Sequence, residues 1–217
     1  MAASRPLRRL ATLTALLLAT AVAAQESPPV VVKDARGEFV QRLAAATPPK
    51  GNAWRQHRDR DNRVRIQFPR TWKVEALKDE EAALQATPPG RATGANLVVV
   101  ITPTGDGDPL FVTQAFAAEQ AAELPKNPSL AAFEVSVTDS AYIEFNGLKC
   151  AVVGARLSYQ QQPIRLAQLV YVGFHKIIMI QFTAPPEEFD RHAAVVAQVM
   201  RSFEPSLSDG TENLVDD

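Results

Sequence analysis

The side chains that could carry acid–base or metal chemistry are few and widely spaced along the chain. His57, His175 and His192 are the three histidines, and their separation matches no metal-ligand spacing. The segment Asp106-Gly107-Asp108 places two carboxylates in a loop, but it lacks the further acids and the distal glutamate of an EF-hand. We therefore predict no metal site and no cofactor, and interpret the histidines as surface or structural residues.

Nucleophilic chemistry has equally little support in the sequence. Cys150 is the only cysteine, and Leu148 and Val152 flank it in a strand-like pattern. This pattern predicts a buried, inert thiol, because a reactive cysteine needs a basic and open environment. No Gly-x-Ser-x-Gly elbow and no phosphate-binding glycine loop occurs. We predict no catalytic residue and a non-enzymatic protein; a metal-dependent or hydrolytic envelope enzyme, using His175 or Asp106, is the alternative.

Aromatic and basic side chains on predicted strands are the remaining candidates for binding. They share a predicted polar face, on which they could contact an envelope protein or a small ligand. Ordinary exposed surface is the alternative interpretation of the same pattern. The candidate binding residues are Tyr142, Arg156, Tyr159 and Arg165, with Ser136 and Thr138 beside them.

Residues 133–203 contain the elements that would position these side chains. Apolar and polar residues alternate over 133–145, which is typical of a half-buried strand. Asn146-Gly147 then predicts a type I′ turn, because both central residues of that turn need positive φ. Three further strands follow, over about 148–159, 165–172 and 177–183. Asp139 interrupts the apolar face, and a bulge or bend there is favoured over a buried charge.

Two helices complete the predicted domain. Pro185-Pro186 begins the second one, in which an apolar stripe runs from Phe189 to Phe203. The first spans about residues 109–124, with Asp108 as its N-cap. Four short strands precede it, near residues 64–68, 72–75, 82–87 and 96–102. This order predicts an α+β fold with a mostly antiparallel sheet of about 6–8 strands flanked by helices.

The N-terminal residues 1–24 have the pattern of a secretory signal peptide. Arg5, Arg8 and Arg9 precede an apolar run, and small residues allow cleavage after Ala23 or Ala24. The protein is therefore predicted to be periplasmic or extracellular, with an uncleaved N-terminal anchor as the alternative interpretation of residues 1–24. Residues 25–62 are predicted to be a linker with a short helix, residues 63–204 the domain, and residues 205–217 a disordered tail.

The net charge of the chain indicates which classes of partner it can bind. Removing the three leader arginines from the 23 basic side chains leaves 20 against 24 acidic ones. Such an acidic chain predicts no nucleic-acid partner, and no second apolar run predicts a membrane span. Six arginines or histidines lie between residues 55 and 65. We interpret this segment as a solvated lead-in to the domain, with a contact to phosphate or an acidic partner as the alternative.

The segment Phe68-Pro69-Arg70-Thr71-Trp72 resembles the F-P-x-x-W opening of PsbP-like domains. Their superfamily includes DcrB and the Mog-type Ran-binding proteins, and the resemblance covers about residues 63–204. It implies an antiparallel sheet flanked by helices that acts as a non-enzymatic binding or assembly module. Photosystem members bind protein partners and metal ions, but no motif here allows their contact residues to be placed on this chain.

Overall fold

The computed structural model describes residues 37–59, 64–77, 82–90, 94–104, 112–173 and 175–205. The predicted signal peptide, the segment Asp106-Gly107-Asp108 and residues 206–217 of the predicted tail lie outside these ranges. Within the described ranges, none of the helices has the length and apolar character needed to span a bilayer.

Three helices and ten strands make up the described part of the chain. The helices are α1 (Glu38–Ala45), α2 (Gln114–Glu123) and α3 (Pro186–Arg201). Two short 3-10 turns, Leu124–Lys126 and Pro128–Leu130, follow α2. The strands are β1 (Trp54–Asp59), β2 (Val64–Pro69), β3 (Lys73–Ala76), β4 (Ala82–Thr87), β5 (Asn96–Pro103), β6 (Glu134–Phe145), β7 (Leu148–Tyr159), β8 (Gln162–Gly173), β9 (Lys176–Ala184) and β10 (Glu204–Pro205).

The strands form two sheets. The larger sheet has seven strands in the order β3-β4-β5-β9-β8-β7-β6, and the smaller has the order β1-β2-β10. All pairings of these strands are antiparallel. The predicted α+β class and the antiparallel sheet flanked by helices are therefore confirmed.

The larger sheet is covered on both faces. On its α3 face, α1, α3 and the smaller sheet share one apolar core that includes Phe39, Phe68, Leu97, Phe182 and Val196. On its α2 face, two smaller apolar clusters lie beneath α2 and the 3-10 turns. One includes Val98, Val170 and Met179, and the other includes Leu124, Val153 and Leu157. This double cover explains why β5, β8 and β9 are apolar on both faces.

The tight turns follow local backbone preferences. Asn146 and Gly147 have φ angles of 51° and 74°, which confirms the predicted I′-like turn. At the β7–β8 turn, Gln160 and Gln161 adopt φ angles of 50° and 63° without glycine. Strand β8 then begins at Gln162, three residues before the predicted start.

Pro163 can lie inside β8 because of where its backbone nitrogen points. In a two-residue hairpin the closing pair, here Tyr159 and Gln162, is the hydrogen-bonded one. Position 163 is therefore directed away from β7, where no N–H is needed. The β8–β9 pairing begins only at Arg165, so Pro163 is not required as a donor on that side either.

Strand β6 contains the predicted irregularity at Asp139. Its register against β7 shifts between Val137 and Asp139, which confirms a bulge. The side chain is nevertheless buried, with 5% exposed, so the expectation that a bulge would avoid a buried charge was wrong. The bulge moves Val137 to the α2 face and Ala141 to the α3 face, although the sequence pattern placed both on one face.

The described part of the predicted linker packs into the fold. Helix α1, within the predicted short-helix region, buries Phe39, Val40 and Leu43 in the core, and β1 pairs with β2 over six residues. Residues 37–59 therefore contact the same sheet and core as the later elements, because α1 has an apolar face that the sheet and α3 cover. The described part of the basic segment contains β1, where the sequence predicted a solvated lead-in, and it ends in β2, which confirms the strand predicted near residues 64–68.

The boundaries of two other elements also differ from the predicted ones. Helix α2 begins at Gln114, and Thr113 is its N-cap, with Oγ1 accepting a hydrogen bond of 3.1 Å from the Phe116 N–H. Asp108, the predicted cap, lies outside the described ranges. At the other end, Glu204 and Pro205 form β10, which pairs with β2.

Candidate functional site

Two of the predicted binding residues, Arg156 and Arg165, lie side by side on the α3 face of the larger sheet. They are directly opposite each other in the β7–β8 register. The Arg165 guanidinium lies 4.3 Å from the centroid of the Phe189 ring and forms an ion pair with Asp190. The Arg156 side chain is exposed, and within the described ranges it forms no side-chain hydrogen bond or salt bridge. One guanidinium is thus fixed and the neighbouring one is available.

The buried Asp139 carboxylate lies at the same corner of the fold. It accepts a hydrogen bond from the Phe39 backbone N–H, in the first turn of α1. A Cβ atom added to Gly37 would lie 1.0 Å from Asp139 Oδ1, and one added to Gly154 would lie 2.7 Å from Oδ2. The two glycines therefore leave the space that the carboxylate occupies, which connects β6 to the start of α1.

Burial and nearby charges act in opposite directions on this carboxylate. Burial raises the pKa of Asp139, and the charge of Arg165 and the Phe39 N–H oppose that effect. Glu38 raises the pKa further and Arg156 lowers it. The pKa of Asp139 is raised because the loss of solvation outweighs the attraction of the two arginines.

Helix α1 adds an exposed ion pair to this region. Arg42 Nη2 lies 2.5 Å from Glu38 Oε1, one turn apart on the helix. The hydrogen bond and the positive charge of Arg42 lower the pKa of Glu38. We use the name arginine corner for six residues: Glu38, Arg42, Asp139, Arg156, Arg165 and Asp190. Guanidinium groups arranged in this way can bind a carboxylate or phosphate through paired hydrogen bonds.

The predicted aromatic residues lie on the other side of the sheet. Tyr142 packs against the α2-face cluster, and its hydroxyl lies 3.3 Å from Glu144 Oε2. Tyr159 lies with its ring centroid 5.1 Å from that of Phe133. Ser136 is opposite Arg156 in the register, and Thr138 lies in the bulge. The six predicted residues therefore do not share one face.

The physical reasons for this separation are strand periodicity and the bulge. Arg156 and Tyr159 are three positions apart on β7, so a period of two places them on opposite faces. Ser136 and Tyr142 are six apart and would share a face, but the bulge before Asp139 adds one residue between them. The strand periodicity is visible in the sequence alone. The sequence shows Asp139 only as an interruption of the apolar pattern, because its partners on α1 and β8 are distant in the chain.

Two of the three histidines, His192 and His175, make contacts within the fold. His192 Nε2 lies 3.5 Å from Glu188 Oε2, one turn earlier on α3, and its ring meets Trp72 edge to face at 5.9 Å. Burial lowers the pKa of His192, opposed by the charge of Glu188. His175 has a φ of 58° in the β8–β9 turn, and its carbonyl accepts a hydrogen bond from the Thr104 N–H.

The single thiol is buried, as predicted. Cys150 has no exposed surface, and burial raises its pKa to about 12. The thiolate is the reactive form, so this thiol is protected by both access and protonation. Within the described ranges, no group of three or more histidine, cysteine or acidic side chains is placed to hold a metal ion.

Comparison with known proteins shows similarity in structure. No protein-family model matches the sequence, and no curated protein matches it. Among solved structures, the chain is similar to cyanobacterial PsbP (CyanoP) from Synechocystis sp. PCC 6803, with a TM-score of 0.57 and 12% identity over 74% of this chain and 98% of that one. The chain therefore has the PsbP-like fold that the F-P-x-x-W segment predicted.

A second solved structure supports the same fold. The crystal structure of LpqN, described as involved in cell envelope biogenesis of Mycobacterium tuberculosis, has a TM-score of 0.50 and 15% identity over 70% of this chain and 91% of that one. In the F-P-x-x-W segment, Phe68 and Trp72 are both buried in the core of the α3 face. The motif is thus part of the packing between the smaller sheet and α3.

Proposed function

We propose that this protein is an exported, non-enzymatic interaction module that binds an acidic group of a partner in the cell envelope at the arginine corner. The observation that carries this proposal is the placement of Arg156 directly opposite Arg165 on adjacent strands. Like charges in that position destabilise a sheet. Asp190 already pairs with Arg165, and an acidic group bound at the exposed Arg156 would offset the remaining repulsion.

The surroundings of the pair support recognition of a carboxylate or phosphate. Phe189 and Asp190 hold the Arg165 guanidinium in one orientation, which reduces the entropy lost on binding. Arg156 contributes an exposed guanidinium, whose planar N–H groups can bind a carboxylate through two hydrogen bonds. The Ser136 hydroxyl, opposite Arg156 on β6, can add a third donor.

Export is supported by the leader pattern in residues 1–24 and is compatible with the involvement of LpqN in cell envelope biogenesis. Tyr159 is retained in the proposal as a separate contact on the α2 face. Its ring packs on Phe133 and is partly exposed, so it can take part in an interface without rearrangement.

The test is a comparison of matched variants in a pull-down from the organism's own envelope extract. The protein from Gln25 onward is immobilised as wild type, as Arg156→Gln, and as Arg58→Gln, which removes an exposed arginine on the smaller sheet. The proposal predicts a partner whose capture falls about tenfold for Arg156→Gln and is unchanged for Arg58→Gln. Equal capture by all three proteins, or no reproducible partner, would reject it.

A further inference from the structure

Strand β6 is the edge of the larger sheet. It spans 12 residues, pairs with β7 on one side, and is last in the strand order. No described strand pairs with its outer side. The opposite edge, β3, has only four residues. An edge strand presents unpaired N–H and C=O groups to which another strand can be added.

The β6–β7 turn determines which backbone groups point outward. Phe145 and Leu148 flank the two-residue turn, so they form a hydrogen-bonded pair. Hydrogen-bonded and non-hydrogen-bonded pairs then alternate along the hairpin as far as the bulge. The N–H and C=O groups of Ser140, Tyr142 and Glu144 are therefore directed away from β7.

The bulge separates this region from the rest of β6. Residues 140–145 pair with β7 without a register shift, whereas the shift before Asp139 interrupts the N-terminal half. Edge strands are usually protected by bulges, prolines or lysines. Residues 140–145 contain no proline and no lysine, and Glu144 is their one charged side chain, so the bulge protects only the other half. We call residues 140–145 the open half of β6.

Charge indicates what kind of strand this edge accepts. Glu134, Asp139 and Glu144 are the charged residues of β6, and all are acidic. Glu144 is exposed, and its carboxylate accepts a hydrogen bond from the Tyr142 hydroxyl. Lys149 lies opposite Glu144 on β7. On the outer side of β6, no described strand lies beside Glu144. A basic side chain on an added strand would occupy that position and face the carboxylate.

We propose that the open half of β6 binds an extended, lysine- or arginine-bearing segment of a partner protein as an eighth strand of the larger sheet. Main-chain hydrogen bonds to Tyr142 and its neighbours supply affinity, and Glu144 supplies the preference for a basic partner. A second copy paired through its own β6 would bring only further acids to this edge. The proposal does not depend on the two proposed binding arginines of the arginine corner, Arg156 and Arg165, which lie on β7 and β8.

The first measurement is amide hydrogen exchange by NMR on the purified protein, with and without a peptide of eight alternating lysine and threonine residues. In the free protein, we expect the Ala141 and Ile143 amides to exchange slowly and the Tyr142 and Glu144 amides to exchange rapidly. Peptide binding is expected to slow exchange at Tyr142 and Glu144. An alternating glutamate–threonine peptide is expected to leave both amides unchanged.

Three variants separate the backbone and charge contributions in the same titration. Glu144→Gln keeps the outward N–H and is expected to weaken binding of the basic peptide about fivefold. Glu144→Pro also removes that N–H, which β7 does not use, and is expected to abolish binding while the fold is retained. Glu134→Gln, on the far side of the bulge, is the matched control and is expected to bind like wild type.

Equal binding of the basic peptide by Glu144→Gln and Glu134→Gln would overturn the proposal. Unchanged exchange at Tyr142 and Glu144 in the presence of the basic peptide would do the same. So would concentration-dependent self-association that slows exchange at these two amides without any peptide. If Glu144→Pro does not fold, the charge-reversed variant Glu144→Lys is measured in its place. Its binding to the basic peptide must fall below that of Glu144→Gln.

Discussion

At the scale of single residues, Asp139 has the most informative surroundings. Its carboxylate lies between Gly37 and Gly154 and accepts the Phe39 N–H, so it joins three separate elements through one side chain. Burial raises the pKa of Asp139 although Arg165 and Arg156 are nearby. The ionised form therefore costs stability that the protonated form does not.

Replacing Asp139 by asparagine tests this cost. The folded pKa is raised, so the stabilising effect of protonation is fully present below the unfolded pKa of about 3.9 and is lost as the pH rises through the folded pKa. The asparagine side chain would be neutral throughout and would keep an oxygen for the Phe39 N–H. We expect Asp139→Asn to raise the free energy of unfolding at neutral pH, with the gain shrinking towards about pH 4. Urea unfolding between these pH values measures the difference; a gain that does not depend on pH would contradict the assignment.

Gly37 provides a second residue-scale prediction. Its φ of −61° is ordinary, so a Gly→Ala change there would normally stabilise the protein. An alanine Cβ would instead overlap Asp139 Oδ1, and we expect Gly37→Ala to destabilise the fold by about 2 kcal/mol. Thermal or urea unfolding gives the value. Combining Gly37→Ala with Asp139→Ala removes the overlap, so the two costs should not add; simple additivity would show that the contact is not responsible.

At the scale of elements, the two-residue turns of the larger sheet show how the same geometry arises from different sequences. Asn146-Gly147 uses the residues that favour positive φ. Gln160-Gln161 adopts nearly the same φ angles without either of them. The pairing of β7 with β8 over ten residues holds this turn in place. The β7–β8 pairing thus holds Gln160 and Gln161 in a left-handed conformation that glutamine does not favour on its own.

A glycine in the β7–β8 turn is therefore expected to stabilise the protein. A left-handed conformation costs a non-glycine residue about 1–2 kcal/mol. Gln161, with a φ of 63°, carries this cost, so we expect Gln161→Gly to raise the free energy of unfolding by about 1 kcal/mol. Chemical denaturation provides the measurement. The reverse change at the other turn, Gly147→Gln, is the control and should lower stability by a similar amount.

At the scale of the whole molecule, one sheet is enclosed by two layers that differ in size. The α3 face holds the large core, and Phe189 lies at its junction with α1. The Phe189 ring is 5.8 Å from Phe39 and 5.5 Å from Phe182, and the Arg165 guanidinium lies over it. The arginine corner therefore rests directly on the main core.

This arrangement predicts a large and global effect of Phe189→Ala. Loss of the ring from a fully packed site is expected to cost about 3–5 kcal/mol. Because Phe189 contacts α1, β8 and β9, unfolding should remain one cooperative transition in which tryptophan fluorescence and far-UV circular dichroism coincide. Tyr159→Ala, which removes one partly exposed ring contact, should cost only about 1 kcal/mol. Separate transitions by the two probes would show that the two layers unfold independently.

The chain's local patterns were sufficient for much of the fold. Alternation over residues 133–145, the Asn146-Gly147 turn and the prolines at the start of α3 predicted the hairpins and the closing helix. These signals are local, because period, turn type and helix capping depend on neighbouring residues. The F-P-x-x-W segment pointed to the PsbP-like fold that the structural comparison shows.

Only the tertiary structure decided how these elements combine at the candidate sites. The β7–β8 register placed Arg156 against Arg165, and packing of α1 against β6 buried Asp139. The sequence predicted a linker with a short helix over residues 25–62, and the packing of α1 could not be read from it because the partners of its apolar face are distant in the chain. Contacts between distant segments arise from the closing of the whole fold, so no local pattern encodes them.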